Sequence, residues 1–189
     1  MGLTNLPVSI VNTHSHYDHI SGNAAYDIRF AHPRELAELA KAGYAAHPVS
    51  DGNGFDLGGR MIQALSLPGH SPGSIGLWDA KAGLLFAGDS VAKNRPVFLS
   101  LDGASAEAYL RTLDRILALE HDEHGGTLSR IFCCHGDVEC GLDTVHALKA
   151  LVLQYAEGEK DKETLPEKYQ SRMPDTVGIV RQGEISFLV

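Results

Sequence analysis

Three histidines and an aspartate crowd into six residues of this chain: His14, His16, Asp18 and His19, in the run Thr13-His14-Ser15-His16-Tyr17-Asp18-His19. Neutral imidazoles and a carboxylate form a hard-to-intermediate ligand set suited to zinc, iron or manganese. Two imidazoles two residues apart project from the same side of an extended loop and can grip one ion. Three later segments each place one further ligand-type residue beside a glycine, just past an apolar run. They are Leu67-Pro68-Gly69-His70-Ser71-Pro72-Gly73, Phe86-Ala87-Gly88-Asp89-Ser90 and Cys133-Cys134-His135-Gly136-Asp137. Glycine is expected where backbone must approach a metal site closely or adopt positive φ.

The elements that must position these residues are legible from the hydrophobic pattern. Val8 to Val11 reads as a short buried strand entering the histidine loop, and Asp27 to Ala31 as the next strand. His32-Pro33-Arg34-Glu35 opens a short helix with proline in its first turn, running to about Lys41 and stopping at Gly43. Met61 to Leu67, Ile75 to Asp79 and Leu84 to Ala87 read as strands. Ser105 is the expected N-cap of a helix through Glu120, with Tyr109, Leu110, Leu113, Ile116 and Leu117 on one face. Ser129 to Cys133 is a strand ending just before His135, and a second long helix spans Leu142 to Ala156. After a charged stretch from Glu157 to Lys168, Thr176 to Val180 and Glu184 to Val189 form a hairpin around Gln182-Gly183. Strands before and after helices, without regular βαβ alternation, imply packed sheets with helices on their outer faces.

The chain has 189 residues, enough for one domain over 1–189 with a sizeable core. Its formal net charge of −8, with no basic run, argues against nucleic acid or an anionic membrane as a partner. No apolar run approaches a membrane span. The N-terminal residues show neither a basic n-region nor an apolar h-region, and the three cysteines do not form a disulfide framework, so a reduced cytoplasmic setting is expected. Cys133 and Cys134 are read as buried small hydrophobes, Tyr17 as a packing residue, and Asp137 as either a turn residue or a partner of a metal ligand. His32, His47, His121, His124 and His146 match no motif and are read as surface or core-edge histidines.

Taken together, the His14-x-His16-x-Asp18-His19 cluster, His70 in its Pro-Gly-His-Ser-Pro-Gly-Ser turn, Asp89 and His135 resemble, in order, the metallo-β-lactamase superfamily. The resemblance covers nearly the whole chain. It implies an α+β fold, an αββα sandwich of two mixed β-sheets flanked by helices, here N-terminally shortened because only Gly2 to Val11 precedes the cluster. It implies a dinuclear site: His14, His16 and His70 on one divalent ion, Asp18, His19 and His135 on the other, and Asp89 bridging. Zinc is the expected metal, with iron or manganese as alternatives, and Asp18 the catalytic carboxylate that orients water and passes on its proton.

The function so implied is hydrolysis of a small ester, thioester or lactone, anionic substrates included, as in glyoxalase II and the lactonases. β-Lactamase-type amide hydrolysis, persulfide dioxygenase-type oxidation at one iron, and a truncated inactive remnant are the competing readings. Substrate contacts are expected from the loops Ala42 to Asp56 and Ala92 to Ala104, which show no match to a glutathione-binding pattern. The short N-terminus leads to one further expectation. The final hairpin, Thr176 to Val189, should carry an exposed sheet edge and apolar face that a homo-oligomer could cover.

Overall fold

In the computed structural model, which describes residues 6–121 and 126–189, the apolar run before the histidine cluster forms β1, Ser9–Val11. The N-terminal residues 1–5 and His124 lie outside the described residues. The chain turns through a one-turn helix α1 (Tyr17–Ile20) into β2 (Ile28–Ala31), which pairs in parallel with β1 and with β3 (His47–Pro48). Between β2 and β3, the His32 side chain accepts a hydrogen bond from Arg34 N and Pro33 opens a 3-10 turn, Pro33–Glu35, that leads into α2 (Leu36–Lys41).

Six strands form the central sheet. They are β4 (Gly54–Asp56), β5 (Met61–Ser66), β6 (Ile75–Asp79), β7 (Leu84–Gly88), then β9 (Arg130–Cys133) and β10 (Glu139–Cys140), after the short β8 (Val97–Phe98). Their spatial order is β10-β9-β7-β6-β5-β4. All neighbours are antiparallel except β7 and β9, whose parallel pairing requires a crossover, made through α3 (Ala106–Ala118). The Ser105 hydroxyl caps α3 by accepting from Ala108 N at 3.2 Å. After α4 (Leu142–Ala156) and the one-turn α5 (Glu167–Gln170), the hairpin β11 (Ile179–Gln182)–β12 (Ile185–Leu188) pairs with β8.

Side-chain alternation along the central strands produces the layers. Ala64, Ile75 and Leu77 face one way, with Phe55 of β4, and meet Val11, Phe30 and Val49 of the β1–β3 side. Leu65, Trp78, Leu85 and Ile131 face the other way, against Tyr109, Leu113 and Ile116 of α3 and Val145, Leu148 and Val152 of α4. Ile20, Ala31 and Leu39 close the outer side of β1–β3 beneath α1 and α2. The result is helix, sheet, sheet, helix: an α+β fold with αββα layering, as the sequence implies. Hydrogen bonding splits the strands into three sets rather than two, because the final hairpin joins β8 and not the central sheet. Among the described residues no helix is long and apolar enough to cross a membrane.

The final hairpin departs from the sequence expectation. Ile179, Val180, Ile185, Phe187 and Leu188 are all buried, so Thr176 to Val189 carries no exposed apolar face. The stretch Glu157 to Lys168, read only as charged, folds back over it. Glu163 exchanges backbone hydrogen bonds with Ile179 at 2.8 and 3.0 Å along the outer edge of β11, and Leu165 and Tyr169 pack on Ile179 and Leu188. That removes the reason to expect an oligomer at this hairpin. The exposed apolar side chains Val8, Tyr26 and Ile28 lie instead just before β1, in the turn before β2 and in β2.

Candidate metal centre

Strands β5, β7 and β9 run in the same direction, so the segments that leave their C-terminal ends emerge on one edge of the central sheet. His70 follows β5, Asp89 follows β7 and His135 follows β9. The histidine cluster reaches this edge from β1 and is joined to it where Ile75 N donates to Thr13 O at 2.8 Å. Gly88, with φ of 57°, ends β7 directly against Thr13; a Cβ there would lie 2.8 Å from that side chain. Glycine is therefore needed twice over, for the left-handed backbone and for the close approach that sets Asp89 beside His14 and His19.

All seven sequence-predicted ligands come together. Their ligand atoms form three overlapping groups within 4.8 Å: His14, His16 and His70; His14, His19 and Asp89; Asp18, His19 and His135. In the first, His70 Nε2 lies 3.3 Å from His14 Nε2 and 3.0 Å from His16 Nδ1. In the last, His135 Nε2 lies 3.1 Å and His19 Nε2 3.7 Å from Asp18 Oδ2. Asp89 is shared between them. Its Oδ2 is 3.6 Å from His70 Nε2 and 3.3 Å from His135 Nε2, and its Oδ1 is 3.3 Å from His19 Nε2.

This crowd of nitrogens and oxygens fits a cation better than it fits hydrogen bonding. His70 Nδ1 donates to Phe98 O at 2.8 Å, which leaves Nε2 as a lone pair aimed at the lone-pair atoms of its neighbours. His19 Nε2 and Asp89 Oδ1 are buried and neither makes a hydrogen bond of good geometry. Such orphaned atoms carry a desolvation cost of about 1–3 kcal/mol each unless something binds them. Burial, reinforced by His19 and His70, pushes the His14 pKa down to about 2, and burial also lowers His16 and His70, so these three are neutral and ready to ligate. Burial would raise Asp89, but His19 beside it holds it down at about 2. Burial likewise opposes charge on His19, yet Asp89 and the Cys134 thiol raise it to about 10.

One residue that the sequence reading missed organises the first group. Glu35 is buried, and its carboxylate ties the two ligand loops together. Oε2 accepts from Ser15 N at 3.0 Å and from the Ser15 hydroxyl, between His14 and His16. Oε1 accepts from the Ser71 hydroxyl at 2.9 Å and from Gly73 N at 2.8 Å, just past His70. A Cβ on Gly73 would lie 2.6 Å from this carboxylate, so glycine is required there by space rather than by φ. In sequence Glu35 looks like any acidic residue in the first turn of an exposed helix.

Other expectations need correction. Cys134 is exposed rather than buried; Cys133 is buried as expected, with its Sγ 3.3 Å from that of the buried Cys140. Tyr17 is 81% exposed rather than packed, because α1 is a single turn whose inward positions go to His19 and Ile20. Asp137 accepts from Asn94 Nδ2 at 3.0 and 3.1 Å, bracing the turn after His135 without touching a candidate ligand. His47, His121 and His146 are exposed, and His32 is a helix cap.

A cleft of about 230 Å³ opens over the centre, lined by His16, Asp18, His70, Asp89 and His135 on its floor. Of the two loops expected to contact substrate, the one from Ala92 to Ala104 contributes Arg95, Pro96, Phe98 and Leu101; the Ala42 to Asp56 loop contributes nothing. Tyr169, Arg172 and Met173 of the segment around α5 take its place.

The family model described as the metallo-beta-lactamase superfamily matches residues 7–135. The chain belongs to that superfamily. Among curated relatives it is 26% identical over 179 residues to the hydroxyacylglutathione hydrolase of Gloeobacter violaceus, covering 92% of this chain and 67% of the relative. It is 32% identical over 90 residues to the enzyme of the same name from Serratia proteamaculans, 45% of this chain and only 34% of the relative. The chain thus spans about a third to two thirds of the length of these relatives. Among solved structures, the protein TTHA1623 in a di-iron-bound form superposes with a TM-score of 0.56 at 26% identity, over 74% of both chains.

Two outcomes follow from this geometry. Glu35→Gln turns one acceptor oxygen into a donor facing two other donors; metal affinity, measured by competition with a chromophoric chelator, is expected to fall about 10–100-fold while the fold is kept. Metal binding should also release protons. Because the His19 pKa is raised to about 10, the metal-free site is protonated at neutral pH, and a cation must displace that proton. Apparent affinity is therefore expected to rise with pH up to about 10. Calorimetric titration in buffers of different ionisation enthalpy checks this; binding without proton release contradicts it.

Proposed function

We propose that the protein is a metal-dependent hydrolase of small esters, thioesters or lactones, built on two divalent metal ions, zinc by preference. The observation that carries this reading is the position of Asp89, one oxygen of which lies within 3.6 Å of both His70 and His135, ligands of two different groups. In this reading His14, His16 and His70 hold one ion, Asp18, His19 and His135 hold the other, and Asp89 lies between them. The relatives named hydroxyacylglutathione hydrolase and the neighbour in a di-iron-bound form support the thioester chemistry and the paired metals.

A pair of divalent ions supplies hydroxide near neutral pH and polarises a carbonyl oxygen. The chain's own residues do the rest. The Asp18 side chain is 59% exposed, against 13% for Asp89, so it is the carboxylate that faces the cleft and any attacking water. The Asp18 carboxylate takes the proton from that water and returns one to the leaving group. Asp89 stays buried and ionised, fixed between the imidazoles. Phe98 O holds His70 in the tautomer that ligates, and Glu35 keeps its loop in register with His14 and His16. The small cleft admits an acyl group of modest size.

The test is a substrate screen on metal-loaded protein with Asp18→Asn alongside. Turnover of a short thioester, ester or lactone is expected, abolished by chelation. The variant should lose about 10²–10⁴-fold in kcat, the usual contribution of a positioned acid–base group. Turnover of a chromogenic β-lactam alone, or oxygen uptake on a persulfide, assigns the chain to a different chemistry. No turnover of any of these identifies an inactive remnant.

A further inference from the structure

Burial explains the position of His135 poorly. Its side chain is 34% exposed, against 10% for His19 and 2% for His70. Glu35 and Phe98 O brace the first group of ligands, whereas His135 is held by the chain that runs on from it. Gly136, with φ of 76°, lies against Lys93, where a Cβ would fall 2.0 Å from Lys93 O. Asp137 N donates to that same carbonyl at 3.0 Å. The Asp137 carboxylate then accepts from Asn94 Nδ2 at 3.0 and 3.1 Å.

The backbone of Asn94 is unusual. With φ of 60° it is the only residue other than glycine to take positive φ among the described residues. Such backbone costs about 1–3 kcal/mol in a residue with a side chain and persists where the surroundings impose it. Glycine would adopt it freely, so what asparagine adds here is its amide. The left-handed turn lets this one residue bond in two directions. Its N–H donates to Glu184 O at 2.9 Å, in the turn of the final hairpin, while its side chain reaches Asp137. Lys93 beside it adds an ion pair to Glu184 at 3.1 Å. A clamp thus runs from the β11–β12 turn, through Lys93 and Asn94, to the turn after His135.

We infer that Asn94 and Asp137 are positioning residues that hold His135 for the second metal ion, so that their bond sets the affinity for that ion and not for the first. The inference rests on the two-metal hydrolase reading and names two residues that serve it through His135. The effect is confined to one ion because the clamp acts on one ligand segment. His14, His16 and His70 sit on loops tied by Glu35, while His135 shares its turn with Asp137. Groups that orient a ligand without touching the metal typically change its affinity about 10–100-fold.

The test is stepwise zinc binding to the full chain, read by competition with a chromophoric chelator, which needs no turnover. Asn94→Ala and Asp137→Ala are each expected to weaken the second ion about 10–100-fold and to leave the first unchanged. Combined, they should cost no more than either alone, as for two halves of one bond. Asn94→Gly keeps the left-handed backbone without the amide and should behave as Asn94→Ala does. Asp137→Asn keeps an acceptor for Asn94 and should lose less than Asp137→Ala, a rescue that general loosening of the turn would not produce. Equal weakening of both ions, no weakening of either, or an Asn94→Gly protein that binds as the unaltered one overturns the inference while the hydrolase reading stands. A single ion in the unaltered protein fails the two-metal reading itself and the inference with it. Two ions with the expected losses but no turnover of any ester, thioester or lactone fails the hydrolase reading alone.

Discussion

A single buried carboxylate, Glu35, is the constraint on which the candidate metal centre depends. It accepts four hydrogen bonds, two from Ser15 and two from the Ser71–Gly73 turn, and so holds together two loops that are far apart in sequence. A buried charge is costly unless its lone pairs are satisfied, and here they are satisfied by the backbone and hydroxyls that flank His14, His16 and His70. The tie explains why serine occupies positions 15 and 71 and why glycine occupies 73. It also explains why the first turn after β2 is a tight 3-10 turn: that turn brings residue 35 back beneath the loops.

The second support comes from the C-terminal half. Phe98 O fixes the His70 ring, β8 is held by β12, and Phe98 packs on Tyr169 beside the final hairpin. Residues beyond the 7–135 span matched by the family model therefore shape both the orientation of a ligand and the wall of the cleft. The centre is poised between two demands. Burial keeps His14, His16 and His70 neutral, while Asp89 draws a proton onto His19. A cation satisfies the same lone pairs without that proton, and binding to the folded state alone would stabilise the protein in proportion to its affinity.

Much of this was legible in the sequence because it is written locally. Ligand spacing survives in the chain as His-x-His-x-Asp-His, and strands and helices with clear periodicity, such as Ile75–Asp79 and Leu142–Ala156, are read at their bounds. What was not legible depends on contacts distant in sequence. Glu35 has the composition of a solvated helix start, and only the fold brings it under Ser15 and Ser71. The segment Glu157 to Lys168 looks like a charged linker because Glu163 meets β11 through its backbone N–H and C=O, a pairing that leaves no signature in the sequence. Its return over Ile179 is what covers the hairpin face expected to be exposed. Tyr17 and Cys134 failed for the opposite reason: residues beside a cluster of ligands take whichever face the ligands leave, and here that face is solvent.

The central claim is that these seven side chains form one two-metal centre. Elemental analysis of chelator-free protein, reconstituted with zinc and freed of excess metal, tests it most directly. Two ions per chain are expected, falling when Asp89 is replaced by alanine. A stoichiometry of one, with or without Asp89, contradicts a shared centre and leaves the His14, His16 and His70 group as a mononuclear site.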